Sequence, residues 1–291
     1  MHTRPLGPGA PAVSVIGFGG MPLSIQDRPD DRVGIDVIQA ALDHGVTFID
    51  TANVYCLDDD DIGHNERLVA KALRKWSGGR DTIIVGTKGG MIRPGGSWER
   101  DGRPEQLRQS CDASLKALRV DRIDLYQLHA PDPMVDFEDS VGALADLQTE
   151  GKIRWVGLSN VSVEYIQEAQ RLVEVTTVQN RLNPFFREAL DGGVVSYCAD
   201  HGISFLAYSP VGGGRLNKKL PDHPTLGPIA EARGATPHEV VLAWVVAQGD
   251  TVIAIPGART VEHAVSSTRA AEHTLDADEL AAITGAEFSR A

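Results

Sequence analysis

The stretch "VSVIGFGGMP", residues 13–22, decides between two α/β architectures. Its first half is an apolar, β-branched run that reads as a strand, and its second half is a glycine-rich turn. An open, doubly wound sheet usually follows its first strand with a G-x-G-x-x-G phosphate turn that opens a helix. Here "GFGGMP" lacks the third glycine and puts Pro22 where that helix should begin. The fingerprint fails, which leaves a closed parallel barrel as the architecture to look for downstream.

The rest of the chain supplies the barrel pattern. Short apolar runs follow as "VTFID" (46–50), "TIIVGTK" (82–88), "IDLYQLH" (123–129), "IRWVGLS" (153–159), "VTTVQN" (175–180), "ISFLAYS" (203–209) and "TVIAIPG" (251–257). Between them lie amphipathic stretches such as "DDRVGIDVIQAALDHG", "NERLVAKALRKW", "RPEQLRQSCDASLKALRV" and "PHEVVLAWVVAQG". Eight strands, each followed by a helix, predict a (β/α)8 TIM barrel. No linker or composition break divides the chain, so residues 1–291 are expected to form a single domain. Residues 1–12 precede the first strand, and their Pro and Gly turns predict a small hairpin closing the barrel bottom.

Bulk properties narrow the partners. With 42% hydrophobic residues, the chain can bury a large core. A net charge of −12 argues against a nucleic-acid backbone or an anionic membrane surface and favours a small molecule. Cys56, Cys111 and Cys198 are far apart with no CxxC, which predicts reduced thiols, no zinc site and a cytoplasmic protein. The start "MHTRPLGPGAPAVS" lacks a secretory apolar core, and no run approaches the ~20 apolar residues of a membrane span.

Barrel chemistry sits at the C-terminal strand ends. The second strand ends at Asp50 with Tyr55 five residues on, the third at Lys88 and the fourth at His129. Each has a bland reading: a loop cap, a packing phenol, a snorkelling lysine, a satisfied core imidazole. Their coincidence at successive strand ends favours one shared site. A phenol, with an ordinary pKa near ~10, becomes a usable acid beside an ammonium fixed by a carboxylate. An imidazole within reach can orient a carbonyl oxygen. A Schiff-base aldolase using Lys88 is the alternative, and a paired Asp50 opposes it.

These residues resemble the aldo-keto reductase superfamily. "GFGGM", "FIDTANVY", "TK" and "LH" match its pattern in order and spacing, as do "GLSN" (157–160), "VQN" (178–180), "AYSPVGGGRL" (207–216) and "AIPGA" (254–258), over roughly residues 13–270. The resemblance implies a catalytic tetrad of Asp50, Tyr55, Lys88 and His129, with Tyr55 as the acid and NADPH as the hydride source. The nicotinamide would stack on Tyr208, with Ser159, Asn160 and Gln179 at its carboxamide and Gly20, Met21 and Asp50 nearby. Ser209, Pro210, Val211 and Gly212 would lie along the pyrophosphate, with Arg215 or Lys219 supplying charge. Pro256, Gly257, Ala258, Arg259, His263 and Ser267 would surround the adenosine end. Arg259 is a good fork for a 2′-phosphate. Ser266 and Ser267 stand where the family often has Glu-Asn, so NADH is kept as the alternative cofactor.

The run "DDDDIGHNE" (58–66) resembles a calcium loop, but Ile62 stands where an acid or amide is needed and the closing glutamate is missing. It reads as a solvated acidic lip, with Asn65 or His64 as the next helix's N-cap and no metal. Cys56 reads as packing. The expected substrate walls are Met21, Val54, Tyr55, Met91, Trp98 and His129, with "PGGSWERDG" as a mobile flap. Little chain follows "AAITGAEF", which predicts an open site for an aldehyde, ketone or sugar. A cofactor-binding sensor with little turnover is the other alternative.

Overall fold

The computed structural model describes residues 1–291. Strands β1 (Thr3–Pro5) and β2 (Ala12–Ser14) pair antiparallel. The eight parallel strands are β3 (Phe18–Gly19), β4 (Phe48–Asp50), β5 (Ile84–Gly89), β8 (Ile123–Leu128), β9 (Ile153–Ser159), β10 (Val175–Arg181), β11 (Ser204–Tyr208) and β12 (Val252–Ile255). Between β5 and β8, β6 (Met91–Ile92) and β7 (Glu99–Arg100) form a second antiparallel pair. The parallel strands run in chain order around the sheet, and Ile16 bridges Ala254 to close it. The fold is therefore a single-domain (β/α)8 barrel.

The helices are α1 (Asp31–Asp43), α2 (His64–Lys75), α3 (Pro104–Leu118), α4 (Phe137–Thr149), α5 (Val163–Ala169), α6 (Glu188–Asp191), α7 (Val194–Asp200), α8 (Gly213–Leu216), α9 (Leu226–Arg233), α10 (Pro237–Val246), α11 (Val261–Arg269) and α12 (Ala277–Gly285). Capping is strongest at α10 and α12, where Thr236 with Glu239 and Asp276 with Glu279 form reciprocal boxes.

The stretch 13–22 divides more sharply than its sequence suggests. Val13 and Ser14 belong to the N-terminal hairpin, and only Phe18–Gly19 continues as barrel ladder. Ser14 explains the break: its Oγ donates to Ile16 O at 2.7 Å, and its amide donates to Thr47 Oγ1 at 2.8 Å. The hairpin plugs the lower end of the barrel as expected. Leu6 and Val13 pack there with Phe48, Ile84, Leu125 and Trp155. Arg4 pins it by donating to the carbonyls of Val246 (3.0 Å) and Gly249 (2.7 Å).

A period of two along each strand separates interior from exterior. Ile84, Leu125, Trp155 and Leu206 form the apolar lower layer inside. One or two repeats further along the same parity, Lys88, Gln127, Ser159 and Tyr208 come to the upper layer. The intervening Val85, Tyr126, Val156 and Ala207 face the helices. The barrel is thus oily below and polar above.

On the outer side, Thr87 Oγ1 donates to Glu66 Oε1 at 2.6 Å, while Glu66 Oε2 is buried without a partner. Burial raises the Glu66 carboxyl above its ordinary value of 4.5. The unfolded chain therefore ionises Glu66 first, and stability falls as pH rises from 4.5 through the folded value. Glu66→Gln is expected to raise stability at pH 7 by about 1 kcal/mol and to flatten that slope. Urea denaturation at pH 5 and pH 8 checks both; an unchanged slope would refute the assignment.

Candidate active site

Lys88 lies at the centre of the upper layer, fully buried. Its Nζ donates to Asp50 Oδ2 (2.6 Å), to Thr51 O (2.9 Å) and to Tyr55 Oη (3.0 Å). Three acceptors match the three hydrogens of an ammonium. Burial pulls the Lys88 amine below its ordinary value, and Asp50 pulls it back up. An amine with every hydrogen engaged and a carboxylate at contact is poorly placed for Schiff-base attack, which weakens the aldolase alternative.

Asp50 is held on its other oxygen. Gln127 Nε2 and Gln179 Nε2 donate to Oδ1 at 3.2 and 2.7 Å. Gln127 was not among the sequence candidates. A signal existed, because it is a neutral amide two residues on from the inward-facing Leu125. Burial raises the Tyr55 phenol well above its ordinary value of 10, and the Asp50 charge adds to this. Burial therefore outweighs the ammonium, and the phenol stays protonated.

His129 presents its ring edge-on to Tyr55, with centroids 5.8 Å apart. Burial, then the Lys88 charge, drives its imidazole well below its ordinary value, so the ring is neutral. Its Nδ1 is buried with no partner. Its peptide is fixed on both sides: N donates to Gly89 O (2.9 Å), and O accepts from Asn160 Nδ2 (2.9 Å).

The residues assigned to the nicotinamide end surround this cluster. Ser159 and Gln179 are buried, and Asn160 takes a left-handed φ of +59°. Asn160 Oδ1 accepts from Tyr208 Oη at 2.8 Å, which fixes the half-buried Tyr208 ring. The amide of Gln179 lies against Asp50 and Gln127. Gly20 donates to Asp50 O at 2.8 Å, and an added Cβ there would meet Asn65 Oδ1 at 2.3 Å. Met21 opens a short 3-10 turn and packs with Ala52, Val54 and Tyr55.

These features fit a nicotinamide dinucleotide. The loop after β11 has positive φ at Ser209 (+48°), Gly212 (+91°) and Gly213 (+71°), beside the buried Pro210 and half-buried Val211. An aromatic face, three amide or hydroxyl groups and a glycine-bent loop thus adjoin the Tyr55 cluster. The basic groups are engaged: Arg215 Nη2 donates to Arg290 O (2.6 Å), and Lys219 donates to Ser289 O (3.3 Å). Arg259 reaches the carbonyls of Pro22 (3.1 Å) and Gln26 (2.7 Å). Pro256 and Ala258 are buried, while Gly257 and His263 are exposed and Ser267 is half-buried. Ser266 turns to Glu239 Oε1 at 2.6 Å.

Several local expectations need correction. The N-cap of α2 is Gly63, at φ +79°, with no side-chain cap. Asn65 is instead buried, accepting from Thr51 Oγ1 (2.6 Å) and donating to Gly20 O (2.8 Å), while His64 Nδ1 contacts Ser24 Oγ (2.7 Å). The acidic lip is not wholly solvated, since Asp61 pairs with Arg28. Val54 is 0% exposed and so backs the mouth rather than lining it. "PGGSWERDG" contains the turn and second strand of the β6–β7 hairpin, with Trp98 edge-on to Tyr55 at 6.4 Å. The residues after α12 pack onto the loop beyond β11, where Phe288 stacks on His223 at 4.0 Å. Cys56 is packed as expected, its thiol pushed up to about 11 by burial. No helix is long and apolar enough to cross a membrane.

Comparison with known proteins supplies a family and a shared fold. The model of the Aldo/keto reductase family matches residues 15–287. Probable aldo-keto reductase 1 of Glycine max is 34% identical over 280 residues, 86% of this chain and 79% of that protein. The glycerol dehydrogenase of Gluconobacter oxydans superposes with a TM-score of 0.85 at 29% identity, covering 97% of this chain and 93% of that one. An aldo-keto reductase from Klebsiella pneumoniae, solved in complex with NADPH, gives 0.81 at 28% identity, covering 97% and 94%.

Proposed function

The chain belongs to the aldo/keto reductase family, and from that premise we propose that it reduces aldehydes and ketones with NADPH, Tyr55 delivering the proton. Membership makes it an oxidoreductase. One observation carries the finer reading: Lys88 donates to Tyr55 Oη at 3.0 Å while Asp50 holds Lys88 at 2.6 Å. The phenol oxygen thereby accepts from the ammonium and keeps its own O–H free to donate outward. A protonated phenol beside a fixed positive charge is an acid whose conjugate base is already stabilised.

The neutral imidazole of His129 orients the carbonyl oxygen toward that O–H. Asp50, braced by Gln127 and Gln179, keeps the ammonium in place. The residues that would hold the cofactor are Tyr208, Ser159, Asn160 and Gln179 at the nicotinamide, the 209–219 loop at the pyrophosphate, and Arg259 at a 2′-phosphate. When bound, the nicotinamide supplies the hydride. The relative solved with NADPH supports this cofactor choice.

The purified protein is expected to oxidise NADPH in the presence of 4-nitrobenzaldehyde. Arg259→Ala is expected to weaken NADPH by about 10-fold more than NADH, as loss of a charge-assisted fork implies. Cofactor titration followed by fluorescence checks this. Equal weakening of both cofactors would remove Arg259 from the 2′-phosphate. Absence of turnover with every aldehyde, ketone and sugar tried would favour a sensor instead.

A further inference from the structure

A cavity of about 360 Å³ opens beside the Tyr55 mouth, between the 53–62 loop, the β6–β7 hairpin and α3. Ile62 and Met91 line it and also pack toward Tyr55. Two of its polar walls are incompletely satisfied. Arg93 is 6% exposed, and its Nη2 donates to the carbonyls of Cys56 (3.2 Å) and Leu57 (2.8 Å). Its Nε and Nη1 are buried with no partner, and so is Asn53 Oδ1.

A buried guanidinium with two idle donors is costly unless something arrives to accept from them. Its neighbour Cys56 offers no counter-charge, because burial keeps that thiol protonated at neutral pH. The Trp98 indole covers one face of the guanidinium at 4.0 Å, and the same ring stands edge-on to Tyr55 at 6.4 Å. Trp98 is 45% exposed, so this cover lies at the solvent boundary. The guanidinium and the phenol thus both contact the same indole. Asp59 also lines the cavity, but it is exposed, and solvent screens it far more than the buried Arg93.

We propose that Arg93 is a subsite for a carboxylate on the substrate, which makes the preferred substrates aldehydes that carry an acid group remote from the carbonyl. Asn53 Oδ1 accepts from a hydroxyl on the same molecule. This rests on the reductase reading and narrows it. Either idle nitrogen can give a carboxylate oxygen one charge-assisted hydrogen bond, which a neutral tail cannot accept.

The test compares matched pairs with NADPH: 4-carboxybenzaldehyde against 4-methylbenzaldehyde, and 5-oxopentanoate against pentanal. In at least one pair the acid is expected to have a kcat/KM higher by about 10-fold, mostly through KM. That ratio should collapse toward one in Arg93→Gln and fall part-way in Arg93→Lys. A merely structural Arg93, holding the Cys56 and Leu57 carbonyls, would depress both members equally and keep the ratio. No preference in either pair, or a ratio that survives in Arg93→Gln, overturns the proposal. If no aldehyde turns over, the reductase reading itself fails, and tryptophan fluorescence titration with benzoate and benzamide then decides the subsite. Saturable binding of benzoate over benzamide that is lost in Arg93→Gln supports it; equal binding, no binding, or a benzoate response unchanged in the variant overturns it.

Discussion

Tyr55→Phe is expected to lower kcat for aldehyde reduction by at least ~10²-fold while NADPH binding persists. The substitution removes one oxygen and leaves the ring against His129 and Trp98, so the pocket keeps its shape. What it removes is the only group that both accepts from Lys88 and has a proton left to give. Because the lost interaction is made with the reacting oxygen, kcat and kcat/KM should fall together. The pH profile carries the same sign. Burial holds the phenol protonated past its ordinary value of 10, so reduction should persist through neutral pH and fade only when the phenol ionises. Alcohol oxidation needs the phenolate and should rise with pH. Initial rates with 4-nitrobenzaldehyde and a cofactor titration check the variant. Unchanged turnover in Tyr55→Phe would take Tyr55 out of the mechanism.

The second large effect is on the fold as well as the reaction. Lys88→Met is expected to cost about 3–5 kcal/mol of stability, because it leaves the buried Asp50 carboxylate without its cation. Asp50 is 2% exposed and would keep only the two glutamine amides. Turnover should also be lost, since Tyr55 loses the cation that stabilises its conjugate base. Urea denaturation measures the first loss and NADPH oxidation the second. In the double variant Lys88→Met/Asp50→Asn the stranded charge is gone, so much of the stability should return while activity does not. A double variant as unstable as the sum of the single changes would mean that the ion pair is not what Lys88 supports.

Much of the site was legible because buried parallel strands read as continuous β-branched runs. In "TIIVGTK" the first charged group, and in "IDLYQLH" the closing imidazole, marks the mouth of the barrel. Gln127 was missed because an amide inside a run carries no charge to draw attention; its inward parity was the usable sign. Arg93 drew no reading from the sequence, although it is nearly sealed in the fold. The cap of α2 was misjudged because Asn65 has better partners in Thr51 and Gly20 than in its own helix.

The sequence by itself determined the barrel, the order of its strands and the four reactive groups at three neighbouring strand ends. These follow from local periodicity, which repeats every two residues in a strand and needs no knowledge of distant neighbours. Only the tertiary structure decided which long side chains are engaged. Arg215, Lys219 and Arg259 reach carbonyls, Asp50 is shared by one cation and two amides, and two nitrogens of Arg93 are left idle. A flexible side chain several bonds long can satisfy its hydrogen bonds in many places, and closure of the barrel selects one.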